Sequence, residues 1–403
     1  MIFFITSLSS ATVIKINSLL KAYEEIYSTV PFFRFLNSTE GLGLDYFRQL
    51  WTRLLETDEN SFQAFLNSSV VFYLQNDYTF KDIINPNYFN LLYKLILDSE
   101  RIAIYSTEYE VFDELMIKVF GASKMGEGLY NLDDKNYRVT KNEEGIFINM
   151  EPTKNDFDEN FLITGSTKNL IGKNETWDFF VSVEARTFVI TFESNNYEGS
   201  NRSFNLTQLE NKSFFGEAVA IELIDKMSFI SYFKSFMLPL DEESEKALYF
   251  IKDLIEKDEI IAVSGRGITN DELFIFFESS IDREKIEIFA QERNLKKGKI
   301  GNYIFYQFTN ENIGDLVFLY ISDNEFIFSN VEPTKVNTYF SEIPRLKNTS
   351  YYKIIEEKEE VVNVFILNLS QYLAKNLYGS IDSFIVKQEY EKNGNYIIKI
   401  KVR

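Results

Sequence analysis

The stretch Ile146–Lys154, IFINMEPTK, returns near the end of the chain as Ile327–Lys335, IFSNVEPTK. The two agree at Ile146/Ile327, Phe147/Phe328, Asn149/Asn330 and from Glu151/Glu332 through Lys154/Lys335. Other segments recur in the same order. ATVIKINSLLKAYEEIYSTVPF, from Ala11, has the shape of AVAIELIDKMSFISYFKSFMLP, from Ala218: an alternating strand, a polar break, then an aromatic-rich helix. Past the shared phrase, FFVSVE from Phe179 mirrors VNVFIL from Val362, and TFVITFESN from Thr187 mirrors SFIVKQEYE from Ser383. A spacing of roughly 200 residues is too long for a solenoid and suits a duplicated domain. The expected division is 1–10 as a partial signal-like segment, 11–208 as the first copy and 209–403 as the second. The join falls in the polar stretch between Asn195 and Phe214.

Within each copy, the period-2 alternation of TVIKIN and VAIEL predicts a strand with one buried face. Leu19, Leu20, Tyr23, Ile26 and Tyr27 then share one helical stripe, and a second helix is expected through Tyr46, Leu50, Trp51 and Leu54 after GLGLD. DEESEKALYFIKDLIEK, Asp241–Lys257, opens acidic and closes on lysine, as the helix dipole favours. YIFYQF from Tyr303, LVFLYIS from Leu316 and EFIFSNV from Glu325 read as an antiparallel meander of short alternating strands. FIVKQEY, the turn Lys392-Asn393-Gly394 and YIIKIKV read as a hairpin, because Asn and Gly tolerate positive φ. Strands grouped in meanders, with helices set apart, give the expected fold class: α+β, two homologous tandem domains, each an antiparallel meander sheet packed with helices. This layout, with the LGLD helix opening at Leu42–Asp45, resembles uncharacterised exported bacterial proteins built from two copies of a strand–helix–meander module. The resemblance implies an envelope location and no agreed activity.

The absences narrow the chemistry. With no cysteine and no histidine, the chain has no thiolate nucleophile, no imidazole base and no ordinary structural zinc site. Carboxylate pairs, Lys, Tyr, Ser with Lys and oxygen-bound cations remain. GASKMGEG, Gly121–Gly128, places Glu127 where a phosphate loop needs Lys. GLGLD lacks the third Gly of a dinucleotide loop, and so does GRG at Gly265–Gly267. The acidic runs Asp241–Glu245 and Glu356–Glu360 lack the alternating ligands and central Gly of a calcium loop and read as solvated faces. No catalytic, cofactor-binding or metal-ligating residue is assigned, no cofactor is expected, and the ligand-binding residues are unknown.

A net charge of −19 repels the phosphate backbone, so nucleic acid is not an expected partner. MIFFITSLSSA places an apolar run before Ser9-Ser10-Ala11, like the tail of a secretory signal without its basic start. An extracytoplasmic location, in the periplasm or cell envelope, is therefore expected, with a cytoplasmic one as the alternative. No stretch reaches the length of a transmembrane helix. Glu-Pro-Thr-Lys reads as a strand-to-helix junction, or else Lys154 and Lys335 serve as paired anion anchors. Phe32, Phe33, Phe35, Tyr46 and Trp51 fill a core or line an apolar pocket. The expected role is non-catalytic binding or structure, with an unidentified protein or a small apolar ligand as partner. Alternatives are a carrier of an apolar ligand or lipid, and a carboxylate-based hydrolase acting on glycans.

Overall fold

A computed structural model describes residues 9–31, 53–55, 58–74, 95–168, 170–171, 175–197, 202–213, 217–236, 242–267, 272–309, 316–336, 344–370 and 383–403. Met1–Leu8, Leu42–Asp45, Phe32, Phe33, Phe35, Tyr46, Leu50, Trp51 and the side chain of Tyr27 lie outside the described residues. The chain divides into two compact units, Met1–Glu198 with Lys392–Arg403, and Gly199–Glu391. Both are mixed α+β units dominated by antiparallel sheet.

The first unit contains β1 (Ser9–Ile16), β2 (Ser69–Leu74), β3 (Ser99–Tyr105), β4 (Ser123–Gly126), β5 (Leu129–Leu132), β6 (Lys135–Asn142), β7 (Gly145–Ile148), β8 (Ile163–Lys168), β9 (Thr176–Glu184) and β10 (Thr187–Ser194). The final strand of the chain, β20 (Asn395–Val402), pairs with β10. Its strand order is β4-β5-β6-β7-β3-β2-β1-β8-β9-β10-β20, every neighbouring pair antiparallel. The second unit contains β11 (Ala218–Asp225), β12 (Glu259–Arg266), β13 (Leu273–Glu278), β14 (Lys296–Ile300), β15 (Tyr303–Thr309), β16 (Leu316–Ile321), β17 (Phe326–Ser329), β18 (Val361–Asn368) and β19 (Phe384–Lys392). Its order is β14-β15-β16-β17-β13-β12-β11-β18-β19, again wholly antiparallel. The expected meander from Tyr303 to Val331 is present as β15-β16-β17. Asn393 and Gly394 take φ of 54° and 81°, the left-handed pair that a tight Asn-Gly turn requires.

Each first strand ends on a cap that starts a helix. Ser18 accepts a hydrogen bond from the Lys21 amide at 3.1 Å and opens α1 (Leu19–Glu24), which runs into a π-helical turn over Glu25–Thr29. Asp225 accepts from the Ser228 amide at 2.8 Å ahead of α4 (Phe229–Phe236). Such side-chain oxygens satisfy amides that the first helical turn leaves unpaired. In the first unit, α2 (Glu59–Leu66) packs against α1 and against α3 (Tyr109–Glu114). In the second, α5 (Glu242–Leu254) packs against α4 and against α6 (Arg283–Glu292).

The first helix of each unit covers one sheet face, and the connection between the seventh and eighth strands covers the other. Ile16 meets Ala22 and Ile26 in the first unit, and Ile224 meets Phe229, Tyr232 and Phe233 in the second. On the opposite face of the first sheet, Val71, Ala103 and Phe147 pack against Met150 and Phe157 of the β7–β8 connection. On the opposite face of the second, Val219 and Ile221 pack against Leu346, Tyr351 and Tyr352, and Ile327 against Val331 and Val336, all from the β17–β18 connection.

The repeated phrase is therefore one residue out of step with the fold. Phe147 faces the connection, whereas Phe328 faces the helices, its ring 4.7 Å from that of Phe233. Strand side chains alternate between faces, so a one-residue slip exchanges inside for outside. The two asparagines do similar work by different backbones. Asn149, at φ 55°, accepts from the Arg138 amide at 2.8 Å, and Asn330 accepts from the Leu273 amide at 2.9 Å. The expected strand-to-helix junction forms only after β17, where the Val336 amide donates to the Glu332 carbonyl at 3.0 Å over the helical residues 333–336. Residues 151–158 have no regular structure. The later segment matches also shift: β18 lies beside β11 as β8 lies beside β1, so FFVSVE in β9 and VNVFIL in β18 hold different places.

Candidate functional site

A row of polar side chains crosses the helix-facing side of the second sheet. Glu222 of β11 is directly opposite Asn363 of β18, which is directly opposite Glu389 of β19. Strand spacing puts the two glutamate backbones about 10 Å apart. Lys387, two residues before Glu389 and on the same face, forms an ion pair with it. Glu222 has the same facing as Ile224, whose cluster includes Tyr232 of α4. Glu222, Lys387 and Glu389 are half-buried. Burial raises the Glu222 carboxyl above its ordinary value, the charge of Glu389 raises it further, and Lys387 opposes both. Tyr232 is also pushed up, first by burial, with a contribution from Glu222, against a hydrogen bond with Ser264.

The first unit fills the corresponding place with packing. Counted back from Ile16, the residue that meets α1, the equivalent of Glu222 is Ile14. Ile14 is opposite Gly165, Gly165 is opposite Phe179, and Phe179 is opposite Phe192. The Phe179 ring lies over Gly165 so closely that a Cβ there would come within 2.5 Å of it. The position of Lys387 is taken by Trp177, which is fully buried. This sheet thus closes its helix-facing side with apolar groups at the places where the second unit carries its charged row.

Three other polar groups stand out among the described residues. In the first unit, a cleft of about 240 Å³ is lined by Tyr105, Ser106, Thr107, Glu108, Glu143 and Glu144, with Ala64 of α2 and Ser68 just beyond it. Also there, Asp113 of α3 accepts from Tyr130 at 2.6 Å, Lys141 at 2.5 Å and Lys124 at 3.2 Å, which ties β5, β6 and β4 to the helix. Burial alone would raise Asp113, but the hydrogen bonds from Lys141 and Tyr130 outweigh it and hold the carboxyl low. In the second unit, buried Glu325 takes hydrogen bonds from Lys212 and Tyr303, a brace for the turn before β17. The two lysines of the repeated phrase are both exposed, and Lys154 pairs with Glu144 at 3.5 Å. Gly121–Gly128 forms β4 and the turn that follows it.

No family model matches this sequence, and no curated protein does. Two solved chains show a distant likeness. The structure of crystal form III of TP0453 is 9% identical at a TM-score of 0.28, covering 48% of this chain and 93% of that one. The structure of crystal form I of TP0453 is 8% identical at the same TM-score of 0.28, covering 51% and 94%. Among the described residues, no helix is long and apolar enough to cross a membrane, and no group of three or more acidic side chains could hold a metal ion.

Sequence reasoning missed the row because its members are far apart in the chain and none sits in a motif. One local signal was available. Ile224, two residues after Glu222, makes that face of β11 apolar again, whereas the alternation of Val219, Ile221 and Leu223 by itself reads Glu222 as solvent-facing.

Proposed function

We propose that this chain is a non-catalytic binding protein of the bacterial cell envelope or secreted space, built from two homologous tandem α+β domains. The single observation that carries the binding role is the half-buried Glu222–Asn363–Glu389 row with Lys387. Removing charges from water costs free energy, and half-buried charged groups lined up across a sheet face are a common way for a protein to hold a polar ligand. The first unit supports this weighting, because its apolar row shows how the same layout packs without the cost. The chemistry that fits is a small group rich in hydrogen-bond donors, an amine or a cluster of hydroxyls. The shared strand order supports duplication, and the signal-like opening of the sequence supports export.

A thermal-shift screen against glycans, peptidoglycan fragments, polyamines, lipids and divalent cations tests the reading. A rise of several degrees with a donor-rich class, lost in Glu222→Gln, is expected. A rise with lipids that survives Glu222→Gln favours the apolar carrier instead. One further reading draws on the same row: Glu222, with its raised pKa, acts as general acid and Glu389 as base in glycan hydrolysis. Product formation that Glu222→Gln abolishes supports this hydrolase reading, and binding without product supports the binding protein.

A further inference from the structure

The β7–β8 connection crosses the first sheet as an extended segment with little backbone hold of its own. Thr153, Asn155 and Phe157 alternate inward with the period of a strand, while Lys154 and Asp156 are exposed. Among the described residues, no backbone–backbone hydrogen bond is made by residues 150–157. Side chains of the sheet hold it instead. The Tyr105 hydroxyl donates to the Thr153 carbonyl at 2.9 Å and accepts from the Asn155 amide nitrogen at 2.6 Å. Lys15 donates to the Asp156 carbonyl at 3.3 Å, and Asn17 donates to the Asp158 carbonyl at 2.6 Å. The Phe157 ring sits edge-on to Tyr105 at 5.4 Å, and Tyr105 in turn sits edge-on to Phe147 at 6.0 Å. Under this cover, Val71, Ala103 and Phe147 are wholly buried. In the second unit the corresponding connection is stiffened by helical turns at Leu346–Asn348 and Ser350–Lys353.

Hydroxyl, ammonium and amide donors reading main-chain carbonyls, beside an aromatic slot, are the means by which a protein surface holds any extended peptide. Their partners in Met150–Asn160 are backbone carbonyls, the Asn155 side chain and one aromatic ring, which another chain with Asn and Phe at that spacing can present equally well. We propose that Met150–Asn160 is a displaceable strap, and that the strip beneath it binds an extended partner peptide of the pattern Thr-x-Asn-x-Phe in the strap's place. The strap then acts as an internal competitor, and the partner is a protein with an exposed extended segment. This site belongs to the first unit alone and is independent of the Glu222 row.

The cysteine-free chain makes the test direct. Val71 and its neighbour Val70 are both buried, Val71 beneath the strap and Val70, by strand alternation, on the helix-facing side. Val71→Cys and Val70→Cys are labelled with a thiol reagent in the full-length protein, with and without Tyr105→Phe, which removes the hydroxyl and keeps the ring. Strap release predicts that Tyr105→Phe raises labelling at position 71 at least tenfold and leaves position 70 unchanged. A synthetic peptide MEPTKNDFDEN is expected to protect position 71 in a Phe157→Ala background, where the strap loses its ring contact and the strip keeps its Tyr105 hydroxyl, and to lose at least tenfold in affinity when its Phe is Ala. Ala103→Cys, a small change beneath the strap, repeats the measurement should Val71→Cys disturb folding. Equal acceleration at 70 and 71, no acceleration at either, or a peptide that does not protect overturns the proposal. Those outcomes leave the Glu222 reading intact, since it stands or falls on its own ligand screen.

Discussion

The two units arrange their strands in one order and finish their sheets by different means. The second unit packs its helix side around Phe229, Phe233, Phe277, Phe326 and Phe328, with the rings of Phe277 and Phe326 stacked at 5.0 Å, and then admits two glutamates and a lysine farther along the same face. The first unit keeps that part of its face apolar, through Ile14, Gly165 and Phe179, and covers its other face with an irregular strap. A fold common to both places the strands. The differences lie on top of that order: a charged row in one unit and an irregular cover in the other.

The two rows differ most in their tolerance of substitution at Gly165. A Cβ there would meet the Val13 carbonyl oxygen at 2.0 Å, a backbone atom that cannot swing aside, so Gly165→Ala is expected to cost about 3 kcal/mol or more. The reciprocal change, Asn363→Gly, removes a half-buried side chain from a strand and is expected to cost only about 1 kcal/mol. Urea denaturation of both variants checks this asymmetry, and equal losses would mean that the two rows are not counterparts.

The aromatic cores come next. Phe277→Ala removes a fully buried ring from the aromatic cluster around Phe229 and is expected to cost about 3–5 kcal/mol. Phe147→Ala opens space beneath a strap that can settle inward, so a smaller loss of about 2–3 kcal/mol is expected. Denaturant midpoints measured on the two variants decide the order.

The shared asparagines differ on a finer scale. Asn149→Ala loses a hydrogen bond and places alanine at φ 55°, for about 2 kcal/mol in total. Asn330→Ala loses the bond to the Leu273 amide without that backbone strain, for about 1 kcal/mol. Thermal unfolding of each variant measures the gap. If the gap vanishes, the left-handed backbone at Asn149 carries no cost.

Much of this architecture was legible in the sequence, since it depends on local period and turn chemistry. The alternation in AVAIEL, the meander from Tyr303 and the Asn393-Gly394 turn each specify their structure within a few residues. What was not legible is relational. Whether Phe147 faces helices or strap depends on register across Ala103 and Val71, and no identity count between two short phrases reports on it. The strap reads as a junction because Pro suits a helix start, and tertiary contacts from Tyr105 and Lys15 override that preference in one unit only. Glu222, Asn363 and Glu389 meet only once three strands are laid side by side.

The smallest expected effect is also the most direct test of the claim that the charged row serves function rather than folding. Glu222 has a folded-state pKa raised above its ordinary 4.5. Its contribution to stability is therefore intact below that value and is lost as pH rises through the folded pKa. Replacing it with a neutral isostere removes the penalty. Stability of Glu222→Gln against the parent protein should be measured by urea denaturation from pH 4 to pH 8. The variant is expected to be the more stable at pH 7, by up to about 1 kcal/mol because a half-exposed charge is screened by water, with the difference closing toward pH 4. A variant less stable than the parent at pH 7 would contradict it, and would make the Glu222 carboxylate a structural partner of Lys387.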